Sequence, residues 1–69
     1  MSQATTSTAE ELKTTIKRLN SKAGQMKMDL HDLAEGLPVN YETLIDGATQ
    51  TYRIFHEIDQ LKKQLKALE

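Results

Sequence analysis

The chain has no cysteine and no tryptophan, a single proline, three glycines and only three aromatic rings among its 69 residues. Without cysteine it has no thiol nucleophile, no thiolate metal ligand and no disulfide to support a small core. No apolar run approaches the length of a membrane span. Residues 1–7 carry neither the basic start nor the apolar stretch of a signal peptide. Charge of one sign is also missing: nine basic residues face ten acidic ones, for a net −1. No overall field therefore draws the chain to nucleic acid or to an anionic membrane. There is no glycine-rich phosphate loop, no zinc-protease helix motif and no nucleophile–base pairing. The expectation is a soluble cytoplasmic protein, forming one small domain, that is not an enzyme.

What the chain does have is helical periodicity interrupted once. Residues 1–7 are polar and aperiodic, and are expected to form a flexible arm. Thr8 with Glu11 fits a capping box. From there Ala9, Leu12, Ile16, Leu19, Ala23, Met26, Leu30 and Leu33 recur at spacings of three and four, the pattern of a heptad seam. This predicts a helix over 9–35, roughly 40 Å long.

The stretch from His31 to Asn40 ends that helix and starts another. Gly36 suits a left-handed residue just past a helix end. Pro38 donates no backbone hydrogen bond and disfavours helical geometry at Leu37. Asn40 is a good N-cap, Glu42 suits the positive end of the next helix, and Val39 and Leu44 have the spacing of a hydrophobic staple. A corner over 36–40 is followed by a predicted helix over 41–68. Its expected stripe is Tyr41, Ile45, Ala48, Tyr52, Phe55, Ile58, Leu61, Leu65 and Leu68, with Leu44 and Ile54 beside it. Between Tyr52 and Leu61 three steps of three replace the three-four alternation. The apolar spacing runs through the turn-type pair Asp46-Gly47, so the helix is expected to continue there.

Two equal helices and a short corner give an all-α antiparallel hairpin over 8–69. One hairpin leaves much of its second stripe wet, and a homodimer closing into a four-helix bundle is the expected remedy.

Charge adds an axis. All nine basic residues lie in 13–27 or 53–66, and residues 28–52 hold five acids and no lysine or arginine. The open end of the hairpin is then +4 and the corner end −5. Asp29, Asp32 and Glu35 oppose the dipole at the end of the first helix, a local rule broken at the corner. His31 stands one position past the seam, with Gly24, Met28 and Ala34 on adjacent turns as a candidate second contact face. Three readings of it stay open: a partner contact, a metal ligand across a dimer axis, or a surface histidine. A lone imidazole with carboxylates makes a poor metal cage. His56 lies about 15 Å from it along the axis, from the helical rise. Lys13, Lys17, Lys62, Lys63 and Lys66 gather at the open end, but without the aromatic interleaving of a nucleic-acid surface.

The run Leu30-His31-Asp32-Leu33-Ala34-Glu35-Gly36-Leu37-Pro38-Val39-Asn40-Tyr41, with Leu44, Ala48, Thr51-Tyr52 and Phe55 after it, resembles the Rop-like family of small two-helix proteins encoded in nitrogen-fixation gene clusters. The likeness covers roughly 17–68. It implies a non-enzymatic accessory protein of nitrogen fixation acting as an interaction module. Its partner would be the molybdenum–iron nitrogenase component or the cofactor-assembly machinery. The residues expected to meet that partner are His31, Asp32, Glu35, Met28, Leu37 and Tyr41. The resemblance makes His31 the family's histidine, which keeps a divalent-metal carrier as an alternative. An RNA-binding regulator stands further behind, since likeness to an RNA-binding plasmid protein is architectural.

Overall fold

The computed structural model describes the backbone from Ser2 to Glu69 and side chains from Ala9 onward. Helix α1 spans Ser2–Glu35 and helix α2 spans Leu44–Leu68, with a 3-10 turn at Tyr41–Thr43 leading into the second. The chain is an all-α hairpin, a rod of 53 × 18 × 15 Å. The helical backbone of α1 starts upstream of the position suggested by Thr8 and Glu11; the Thr8 side chain lies outside the described residues.

The α1 seam is the one its sequence spells. Ile16 and Ala23 are buried, and Leu12, Leu19, Met26, Leu30 and Leu33 are half-buried. Ile16 and Ala23 form one cluster with Ile54 and Ile58 of α2, packed round by Leu19, Met26, Leu61 and Leu65.

The α2 seam differs from the expected stripe. The residues turned to α1 are Leu44, Gly47, Thr51, Ile54, Ile58, Leu61 and Leu65, an unbroken three-four alternation. Tyr41, Ile45, Ala48, Tyr52 and Phe55 are exposed instead, Ile45 by 80% and Tyr52 by 67%. The reason is angular. Three steps of three carry the helix nine residues, so Tyr52 and Leu61 stand about half a turn apart and cannot share one face. Gly47 and Thr51 fill the seam although neither is apolar. A Cβ on Gly47 would lie 3.8 Å from Leu30 Cδ1 and 3.9 Å from Leu33 Cδ2, so the bare glycine brings α2 close to both leucines. The Thr51 hydroxyl donates to the Gly47 carbonyl at 2.8 Å, which satisfies it inside its own helix.

The corner is also built differently from its expectation. Gly36 does not adopt positive φ; its N–H donates to the Asp32 and Leu33 carbonyls at 3.1 and 3.2 Å, continuing the helical pattern. The left-handed residue is Asn40, at φ 61° and ψ 27°. Its side chain makes no cap bond, and the Thr43 hydroxyl donates to its carbonyl at 2.9 Å. Val39 donates to Gly36 O across a cis Leu37–Pro38 bond, and Tyr41 donates to Pro38 O. Val39 is 65% exposed, so the expected staple with Leu44 covers little of it.

Candidate functional site

The last turn of α1 carries His31, Asp32 and Glu35 on its outer surface. Glu35 follows His31 by one helical turn, which sets their side chains one above the other. His31 Nε2 lies 3.6 Å from Glu35 Oε2, and His31 Nδ1 lies 3.8 Å from Asp32 Oδ1. All three side chains are more than 60% exposed. One donor atom from each lies within 4.8 Å of the others, the only such group among the described residues. Nδ1 faces one carboxylate and Nε2 the other. An ion at Nε2 with Glu35 would leave Asp32 to orient the ring through Nδ1. Three exposed ligands from one helix still fall short of the closed tetrahedral set that holds a structural zinc.

The other candidate residues also lie at this end. Met28 is 56% exposed, Tyr41 66% and Leu37 39%. Corner and last turn together present an acidic rim with an imidazole and three accessible apolar side chains. His56 is elsewhere: its ring stacks on Tyr52, centroids 5.7 Å apart and planes 20° from parallel.

The larger finding is a face that sequence reading assigned to the core. In an antiparallel pair, the residue just after each seam position points to the same side of both helices, because chain direction and helical sense reverse together. On α2 these residues are Ile45, Ala48, Tyr52 and Phe55, and Tyr41 extends the line. On α1 they are Gly24, Lys27, His31 and Ala34. On this side the corner half of α2 is therefore apolar, beside two small residues, Lys27 and His31 on α1. The opposite side is polar: Gln25 donates to Asp29 at 2.9 Å on α1, and Gln50 to Asp46 at 3.0 Å on α2. The signal that could have separated the two stripes was the run of three-residue steps between Tyr52 and Leu61.

A family model described as Rop-like matches residues 7–69. A UPF0437 protein of Nostoc is 67% identical over 60 residues, covering 87% of this chain and 84% of that protein. A relative from Frankia alni, described as a UPF0437 protein in the nifX-nifW intergenic region, is 49% identical over 47 residues, covering 68% of this chain and 57% of its own. The crystal structure of a DUF683-family protein from the cyanobacterium Cyanothece 51142 superposes with a TM-score of 0.83 at 62% identity. It covers 87% of this chain and 84% of that one.

Proposed function

The chain belongs to the Rop-like family, and from that premise we propose that it is a non-enzymatic accessory protein of nitrogen fixation. It acts in the cytoplasm by docking on another protein. The observation that carries this reading is the Frankia relative encoded between nifX and nifW. The partner is the molybdenum–iron nitrogenase component or a protein of its cofactor assembly. The docking residues are His31, Asp32 and Glu35 with Met28, Leu37 and Tyr41, and their exposure supports that role. An exposed apolar group beside fixed charges suits a surface that recognises one partner and releases it. When free, the chain pairs with itself into a four-helix bundle.

Surface immobilisation of the purified molybdenum–iron component and titration with this protein tests the reading. His31→Ala with Glu35→Ala should weaken binding about tenfold while leaving helicity unchanged. Unaltered binding by that variant removes the corner, and no binding to nitrogenase or its assembly proteins removes the role.

The His31, Asp32 and Glu35 cluster supports a second reading, a carrier of a divalent metal. Zinc or nickel at stoichiometric amounts would then shift the His31 ring resonances, and Glu35→Gln would weaken the effect. Resonances that stay in place at equimolar metal exclude it.

A further inference from the structure

We infer that the groove between the helices on the polar side, opposite the exposed α2 stripe, seats a helix of a partner protein. That helix carries an arginine and, seven residues from it, a carboxylate. Taking the occupant to be a protein rests on the docking role proposed above.

The groove has an apolar floor and walls whose charge changes in step on both helices. Near the corner, Asp29 of α1 and Asp46 of α2 border one cleft of about 240 Å³, over Leu30, Leu33 and Gly47. Seven residues away on each helix, Lys22 and Arg53 border a second cleft, over Leu19 and Ile54. Met26 and Gln50 line both clefts, which makes them one continuous groove. Two acids thus face each other across it, and two bases do so about 10.5 Å further along. Glu57 also borders the basic cleft, and Arg18, one turn beyond Lys22, offsets it. Asp32 and Glu42 lie on the corner side of the acidic cleft and add to its sign.

The acidic cleft is rich in acceptors. Gln25 and Gln50 each hold one oxygen of an aspartate, Oδ1 of Asp29 at 2.9 Å and Oδ2 of Asp46 at 3.0 Å. The second oxygen of each is left to an occupant. The Thr43 and Thr51 hydroxyls spend their protons on the Asn40 and Gly47 carbonyls and keep only lone pairs. Such a lining matches the five donors of a guanidinium, and the half-buried leucines beneath suit its apolar stem. A volume of about 240 Å³ is below the roughly 300–1,000 Å³ of small-molecule sites and takes one side chain.

The distance between the clefts decides the backbone of the occupant. On a helix, residues seven apart rise about 10.5 Å and share a face. In a strand about 10 Å separates residues three apart, which point to opposite faces. Only a helix delivers both charges into the groove.

The test titrates the isotope-labelled full chain with helical alanine–glutamine peptides of about 18 residues. One peptide carries arginine and glutamate seven residues apart. A second sets them eleven apart, which carries the glutamate to the level of Arg18 and Glu57. A third has two arginines at the seven-residue spacing. The first should shift the Asp29, Asp46, Lys22 and Arg53 amide resonances and bind about five- to tenfold tighter than the others. Asp29→Asn with Asp46→Asn should weaken it about tenfold with helicity unchanged, since asparagine still accepts from Gln25 and Gln50. Lys22→Glu with Arg53→Glu should reverse the preference towards the two-arginine peptide. No groove shift at about 1 mM peptide overturns the groove as a docking site. Equal binding by all three peptides overturns the charge pattern, and shifts confined to the α2 stripe overturn the choice of face. Equal shifts from acetyl-arginine amide reduce the occupant to a lone cation and overturn the helix. None of these outcomes involves the molybdenum–iron component, so the docking role stands or falls separately.

Discussion

Asn40 holds the only positive φ among the described residues, at 61°. A side chain in that region ordinarily costs about 1 kcal/mol, least for asparagine, which bonds locally, and nothing for glycine. Asn40→Gly should therefore be neutral or slightly stabilising, and Asn40→Val should cost about 1–2 kcal/mol in urea unfolding. Gly36, next to the same corner, needs no such freedom and should accept alanine, whose Cβ would meet the Asp32 carbonyl at an ordinary 3.5 Å. Sequence patterns favour glycine for a left-handed position, and here asparagine takes it. Gly36 keeps negative φ and Leu37 still donates back to Ala34, so the chain reverses later, at Asn40. Gly47 yields the opposite kind of prediction. Its helical backbone and free space for a Cβ mean that Gly47→Ala should stabilise by about 0.5–1 kcal/mol, a rise of several degrees in Tm for a domain this size.

At the scale of the helix, α1 was legible from its residues and α2 was not. Every apolar seam position of α1 carries an aliphatic side chain or methionine, so periodicity and burial coincide. On α2, hydropathy points to Tyr52 and Ile45, whereas close approach favours Gly47 and Thr51. The leucines of α1 mark the seam: a Cβ at 47 would stand in ordinary contact with Leu30 and Leu33, so this position faces α1. The site was legible to the same degree. Adjacency of His31, Asp32 and Glu35 follows from their spacing alone, as does the small-residue contact face of Gly24 and Ala34, but the exposed α2 stripe does not, since its periodicity reads as core. The corrected register has a measurable consequence. Ile54→Ala should cost about 2–5 kcal/mol by opening a cavity in the cluster with Ala23. Ile45→Ala should stay within about 0.5 kcal/mol, measured in a dilution series so that self-association does not enter.

For the whole molecule, the separation of charge along the rod matters more than its net value of −1. Between two neutral-on-average rods, only the order of the ends gives a first-order electrostatic term, and its sign depends on which ends meet. Antiparallel copies bring an acidic corner to a lysine end, so added salt should weaken the pair. Copies with corners together would oppose lysines to lysines and acids to acids, so added salt should strengthen it. The Debye length falls from roughly 20–30 Å in dilute buffer to about 8 Å at physiological ionic strength, which spans the distances between these groups. The contacts are exposed and each is worth little, so the change is modest. Sedimentation in about 20 mM and then about 300 mM sodium chloride should show the dissociation constant rising about two- to fivefold. A constant that falls with salt would place like ends together.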